Sequence, residues 1–376
     1  MTPEHSFSNE ELSRYSRHIT LEGVGLHGQK RLKEASVLVV GCGGLGSPVI
    51  QYLATAGIGT LGIVDNDVVD LTNLQRQIIH TMDYVDKSKT ESAKRWVESI
   101  NPNCKVNQYK ELITKKNVES ICKHYDIIID CTDNFDARYI LNDEAAKENK
   151  AYIYGSILGF EGQVGVFNLN LNSPSYRDLV PSPPPAGLMP SCVENGVLGV
   201  LPGIIGTLQA TEAIKIILEK GNILDGKILI YNALKMNFRR LSVCKNEDNQ
   251  QFIIEKHPNT KSTISKSDLI SPLSLKTMIN NKEGTILVDV RNPAERDICS
   301  LEHSVNYPSQ MILQNQNVLN ELLKYETDKT MILYCKSGFR SEKCLAEIKK
   351  YRKNIYSLDG GILAWIKDVD NKMAKY

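Results

Sequence analysis

The chain has 376 residues, enough for two or three domains at roughly 100–200 residues each, with ample length for buried cores. Hydrophobic residues make up 41% and charged residues 24%, a globular composition that excludes wholesale disorder and fibrous architectures. Lys and Arg number 45 against 44 Asp and Glu; the net charge of +1 gives no reason to expect nucleic acid or an anionic membrane as the main partner.

Met1-Thr2-Pro3-Glu4-His5-Ser6 lacks the basic and apolar regions of a secretory signal. No apolar run is read as approaching the ~18 residues of a spanning helix, so the expected location is cytoplasmic. Nine cysteines, an odd count with no C-x-x-C pair, read as reduced thiols, and any important one is reactive rather than structural.

Ser8-Asn9-Glu10-Glu11 predicts a capping box opening a helix over 8–18 that carries Arg14 and Arg17. A β-branched strand, Ser36 to Val40, runs directly into Gly41-Cys42-Gly43-Gly44-Leu45-Gly46, a helix to Ala56, and a second strand from Leu61 to Asp65. Ser88-Lys89-Thr90-Glu91 predicts another capping box, on a helix that stops before Asn101-Pro102. Val106 to Leu112 and Tyr125 to Asp130 read as strands, the latter buried on both faces. Ala151 to Leu171 is strand-rich, Pro181 to Pro185 marks an irregular loop, Gly206 to Leu218 suits a buried helix and Lys227 to Tyr231 a strand. The alternation predicts an α/β fold with a Rossmann-like, doubly wound sheet.

From about Lys245 to Ser267 the chain turns polar, which places a linker at 246–265 between a domain over 1–245 and a smaller α/β domain over 266–376. In the second, Thr285 to Val290 and Thr330 to Cys335 are the best strands, and Ser341 to Tyr351 follows as a helix.

Gly41-x-Gly43-x-x-Gly46 sits between a strand and a helix, where backbone N–H groups and the helix N-terminus can face phosphates. Asp65 lies where a ribose-binding acid would be. The alternative is a glycine-rich turn kept for tight packing. Lys89 favours the nucleotide, because a cation in the first turn of a helix is disfavoured by about 0.3–1 kcal/mol unless something compensates, as a triphosphate would. Asp133 could hold Mg²⁺ between phosphate oxygens, with Arg76 and Lys89 offsetting charge on pyrophosphate.

Arg14-Tyr15-Ser16-Arg17, the glycine loop, Asp65-Asn66-Asp67, Asn73-Leu74-Gln75-Arg76-Gln77, Lys89 and Cys131-Thr132-Asp133-Asn134 together resemble the adenylyltransferases that activate ubiquitin-like sulfur carrier proteins, the ThiF-like branch of the ubiquitin-activating-enzyme superfamily. The resemblance covers about residues 8 to 243. It implies an ATP- and Mg²⁺-dependent homodimer that adenylates the C-terminal Gly-Gly carboxylate of a small carrier. It also implies nucleotide binding by Arg17 (reaching the partner subunit's nucleotide), Gly41, Gly43, Gly44, Gly46, Asp65, Asp67, Asn73, Arg76, Lys89, Asp133 and Asn134. Arg76 and Asp133 are further implied to act in catalysis.

Cys192 follows the proline-rich segment, and the matching cysteine of fused relatives is implied to form or resolve an acyl bond. Many relatives bind zinc on two C-x-x-C pairs. Here Ser175-Tyr176-Arg177-Asp178 stands at the first pair and only Cys244 near the second. No zinc is expected, and packing and prolines are expected to hold the loop.

Cys335-Lys336-Ser337-Gly338-Phe339-Arg340-Ser341 lies between an apolar strand and a helix, so its thiol would face a ring of loop N–H groups, with Arg340 adding positive charge. This loop, with Val288 to Glu295 and Leu358 to Trp365, resembles the rhodanese-type sulfurtransferases over about residues 266–370. Ile298 to Pro308 lacks that family's usual His-x-Pro-Gly.

Together the two resemblances imply adenylation of a carrier, then attack by a persulfide on Cys335, loaded by a donor such as a cysteine desulfurase, to give a thiocarboxylate for molybdopterin, thiamine, cysteine or thiolated-tRNA synthesis. The rivals are activation of a protein modifier, a non-catalytic carrier-binding scaffold and an NAD-dependent oxidoreductase. No nucleic acid or membrane partner is expected.

Overall fold

The computed structural model describes residues 7–183, 196–246, 266–281, 284–325 and 329–374. They fall into two compact units, one holding the segments up to 246 and the other those from 266.

The first unit is built on an eight-stranded sheet of order β3-β2-β1-β4-β5-β6-β7-β8. Its strands are β1 (Ser36–Val40), β2 (Thr60–Val64), β3 (Lys105–Tyr109), β4 (Ile127–Asp130), β5 (Ala151–Leu158), β6 (Glu161–Phe167), β7 (Lys227–Asn232) and β8 (Asn237–Ser242). The first five pair in parallel and the last three join antiparallel. Successive side chains of a strand face opposite ways, so Val37 and Val39 enter one apolar core while Leu38 and Val40 enter another on the opposite face. This is the doubly wound arrangement expected.

The long helix Val200–Leu218 starts earlier than the sequence reading placed it, and it corrects that reading on another point. By length and composition it is apolar enough to span a membrane. Its apolar character has a local cause: Leu201, Ile205, Ala210, Ala213 and Ile217 are buried in the unit's core, and a helix that packs against a core over much of its surface is largely apolar.

Three local expectations shift. The helix over 8–18 forms as two, Asn9–Arg14 and Ser16–Ile19, interrupted at Tyr15. That ring is buried against Gly57, and its hydroxyl accepts from Asn101 Nδ2 at 2.8 Å. Helix Lys89–Ile100 forms without the expected capping box, because the Ser88 hydroxyl pairs with Thr90 Oγ1 instead of a backbone N–H. The strand expected to reach Leu112 stops at Tyr109.

The second unit is a five-stranded, all-parallel sheet of order β11-β10-β12-β13-β9, with β9 (Leu269–Ile270), β10 (Thr285–Asp289), β11 (Val305–Asn306), β12 (Thr330–Tyr334) and β13 (Ile355–Leu358). Cores cover both its faces, Leu333 entering one and Ile332 the other.

Candidate functional site

Val40 pairs with Val64 on one side and Asp130 on the other, so β1, β2 and β4 end level and their loops leave from one edge. Strand order reverses between β1 and β4, which opens a ligand crevice there. Gly41 holds a left-handed φ of +99°, and a Cβ on it would stand 2.7 Å from the Cys131 carbonyl oxygen. A Cβ on Gly46 would stand 1.9 Å from the Gly41 carbonyl oxygen. Packing alone therefore requires these two glycines. Gly43 differs: a Cβ there would meet only Gln77 Nε2, at 3.6 Å, so the missing side chain leaves room beside the loop.

The acidic and basic residues surround that loop. Asp65 accepts the Cys42 N–H at 2.7 Å and the Asp67 N–H at 2.8 Å, which makes it a strut of the glycine loop. Burial raises its pKa, with the Lys89 charge opposing. Lys89 is buried and pairs with Asp67 at 3.0 Å, so a carboxylate already supplies the compensation that its helix position demands. Arg76 donates to the Thr72 carbonyl at 3.1 Å, and its Cγ lies 3.7 Å from where a Gly44 Cβ would stand.

Asn73 and Asn134 are each half committed to the fold. Asn73 Oδ1 accepts the Asp70 N–H at 3.2 Å to close a turn, and Asn134 Oδ1 accepts the Ala137 N–H at 2.9 Å to cap helix Phe135–Lys147. Their amide N–H groups are what a ligand could use. Asp133 is exposed beside Asn134. Arg17 is exposed on its short helix, and among the described residues no hydrogen bond or ion pair joins its side chain to the glycine loop. Arg14 is structural, donating to the Ile100 carbonyl at 2.6 Å at the end of the Lys89 helix. Cys42 and Cys131 flank the crevice, yet burial holds both thiols well above their ordinary range.

Sequence reasoning missed the supports behind these loops. Buried Asp130 accepts from Thr132 N and Oγ1 at 2.8 and 2.6 Å and from the Tyr152 hydroxyl at 2.6 Å. Arg138 lies 3.6 Å from Asp130 and donates to the Thr132 carbonyl at 3.1 Å, which holds the stretch leading to Asp133 from behind. His80 and Ser92 do the same for the glycine loop. Asp130 adjoins the Cys131-Thr132-Asp133-Asn134 motif, but Tyr152, Arg138, His80 and Ser92 belong to none; a buried charge eight residues from its partner leaves no signature in spacing.

The residues at the two places where the resemblance would put zinc-binding cysteine pairs do not fit a tetrathiolate. Asp178 Oδ2 accepts the Ser175 N–H at 2.7 Å and Oδ1 the Asn246 N–H at 3.0 Å, so this carboxylate ties the two segments that two cysteine pairs would clamp. Arg177, a cation and so no ligand, is fully buried, donates twice to Asp143 at 2.7 Å and stacks on Tyr139. Packing and prolines are therefore not the whole clasp: Arg177 and Asp178 are part of it. Cys192 lies outside the described residues.

In the second unit Cys335 follows β12 and is buried. Its Sγ lies 3.2 Å from the Gly338 N–H and 3.6 Å from Ser341 Oγ. The Ile362 and Leu363 N–H groups, opening helix Gly361–Asp368, donate to the carbonyls of Cys335 and Lys336 at 2.8 and 3.1 Å. A planar trans peptide points its C=O and N–H in opposite directions, so carbonyls drawn outward leave loop N–H groups turned toward the sulfur. Arg340 departs from expectation. Its guanidinium forms a two-pronged pair with Glu295, 2.7 Å on each arm and both groups buried, so its charge is neutralised by that carboxylate. Burial pushes Cys344 up to about 12 and keeps it a thiol.

A glycine cradle rimmed by Lys89 and Arg76 and a thiol cradle on a separate unit are the working parts of a two-activity transferase. The ThiF family matches residues 15–252 and the rhodanese-like domain residues 271–368. The chain belongs to the ThiF family and carries a C-terminal rhodanese-like domain; its activities are those of an adenylyltransferase and a sulfurtransferase. It is 41% identical over 392 residues to "Probable adenylyltransferase/sulfurtransferase MoeZ" of Mycobacterium tuberculosis, covering 100% of this chain and 97% of that protein. "Adenylyltransferase and sulfurtransferase MOCS3" of Culex quinquefasciatus is 38% identical over 399 residues, 98% of this chain and 90% of its own. Among solved structures, PaaA superposes with TM-score 0.55 at 26% identity over 64% of this chain and 76% of its own. E. coli MccB with ATP shares the fold, with TM-score 0.54 at 23% identity over 65% of this chain and 75% of its own.

Proposed function

We propose that residues 1–245 adenylate the C-terminal glycine of a ubiquitin-like sulfur carrier protein and that residues 266–376 pass a persulfide sulfur to it, with 246–265 as linker. The carrier carboxylate attacks the α-phosphorus of ATP and pyrophosphate leaves, its charge met by Arg76, Lys89 and the glycine-loop N–H groups. Asp133, whose exposed oxygens suit a hard cation, would hold Mg²⁺ to neutralise the phosphates. Arg17 serves the nucleotide of a partner subunit in a homodimer.

The terminal sulfur of a Cys335 persulfide, loaded by a donor such as a cysteine desulfurase, then attacks the acyl carbon and AMP leaves. A thiolate, Cys192 or an external one, attacks Cys335 Sγ; the thiocarboxylate departs and a disulfide remains for a dithiol to reduce. Two easier substitutions replace one difficult one.

The observation that carries this reading is the contrast in cations. Lys89 pairs with the largely exposed Asp67 and Arg76 donates to the Thr72 carbonyl, whereas Arg340 is held by the buried Glu295. A cysteine phosphatase needs a guanidinium turned to its dianionic substrate, so the locked Arg340 favours transfer of sulfur from Cys335. The test is pyrophosphate exchange into ATP with each small ubiquitin-like protein of the same genome. One carrier should support exchange and lose it when its last glycine is deleted. Exchange indifferent to that glycine, or transfer of the carrier to a lysine, would overturn the proposal.

A further inference from the structure

Cys42 is held at both of its backbone polar groups. Asp65 takes the Cys42 N–H at 2.7 Å, and His80 Nε2 lies 2.9 Å from the Cys42 carbonyl oxygen. A carbonyl only accepts, so Nε2 carries the ring proton; Nδ1, 2.9 Å from Ser92 Oγ, then accepts from that hydroxyl. The imidazole is buried. Burial, opposed by the Cys42 carbonyl and reinforced by the Lys89 charge, pushes its pKa down to about 4. The ring is neutral near pH 7.

In a planar trans peptide the carbonyl of one residue and the N–H of the next point to opposite sides. Drawing the Cys42 carbonyl inward onto His80 therefore turns the Gly43 N–H outward. Among the described residues nothing accepts that N–H, and Gly43 is the glycine whose missing side chain leaves room beside the loop. Ser92 is buried on the Lys89 helix, three residues along and so on the same face. His80 itself ends the turn-rich segment that carries Arg76, its N–H donating to the Gln77 carbonyl at 3.1 Å. One side chain thus joins the glycine loop, the lysine helix and the arginine segment.

We infer that His80 is a positioning residue for phosphate recognition, orienting the Gly43 N–H toward the nucleotide phosphates and holding it in register with Lys89 and Arg76. The inference rests on the adenylylation reading and concerns the phosphates alone.

The test is calorimetric titration of the full chain with ATP plus Mg²⁺ and, separately, with adenosine. His80→Leu removes both ring hydrogen bonds and should weaken ATP by about tenfold, ~1.4 kcal/mol, while adenosine affinity stays within about twofold. His80→Gln, whose amide can still donate to Cys42, should recover most of the loss. If the leucine chain does not fold, Ser92→Ala makes the same comparison, since it releases the ring from its tautomer; ATP should weaken about threefold there and adenosine hold. Unchanged ATP affinity, an equal loss for adenosine, or a glutamine variant no better than leucine overturns the role of His80. A wild-type chain that binds no ATP overturns instead the nucleotide reading on which it rests.

Discussion

In both units an apolar parallel strand, β1 in one and β12 in the other, runs into a loop that turns straight into a helix, and in both the loop's carbonyls are drawn back from behind. In the second unit the backbone does this, through Ile362 and Leu363 at a helix N-terminus. In the first a side chain does it, through His80. Charge divides them further. Lys89 keeps a partner, Asp67, that is largely exposed, whereas Arg340 and Glu295 are both buried, with Glu295 also accepting the Asn292 N–H at 3.1 Å. On the proposed reading, the same strand-loop-helix plan serves an anion in the first unit and a sulfur in the second.

The sharpest way to separate the two cradles is Cys335→Ser, which should abolish sulfur transfer and leave carrier-dependent pyrophosphate exchange unchanged; a loss of exchange would show that the activities are not independent. Lys89→Met should do the reverse, cutting exchange by about a hundredfold, the scale of one lost transition-state cation, with persulfide loading of Cys335, read by intact mass, as in the wild type. Glu295→Gln removes the negative charge that faces buried Arg340, at a cost of up to roughly 3–5 kcal/mol. The second unit should melt earlier in calorimetry of the full chain while the first is unmoved.

The last effect is in pH. His80 has its folded pKa near 4, depressed from an ordinary value of 6.5. The stability linked to its neutral ring is present above pH 6.5 and lost as pH falls toward 4. Wild type should therefore lose stability across that window more steeply than His80→Gln, by up to ~1.4 kcal/mol per pH unit; parallel curves would mean the ring is not held neutral.

Much of this was legible in the sequence because strands buried on both faces leave continuous apolar runs, as at Ser36–Val40 and Thr330–Tyr334, and because glycines at tight turns cannot be replaced. β8 was not legible: all six of its residues are exposed, so no apolar pattern marks it. The site divides the same way. Gly41 and Gly46 announce themselves by residue type and place, whereas the signal read from Lys89 in its helix's first turn is answered by Asp67. That Asp65 is a strut, Arg340 an ion-pair partner and His80 a tether depends on contacts between segments far apart in the chain, which no local spacing encodes. The clasp of Arg177 and Asp178 was legible only as an absence of cysteines.

The central claim, that one chain activates a carrier at its first cradle and delivers sulfur from its second, is tested most directly by weighing the carrier. The chain would be incubated with ATP, Mg²⁺, a sulfur source and the carrier that supports exchange, and the carrier's intact mass taken alongside a Cys335→Ala control. The account predicts a carrier with one oxygen replaced by sulfur, absent in the control. AMP release with no sulfur on the carrier, or sulfur that appears equally with Cys335→Ala, would contradict it.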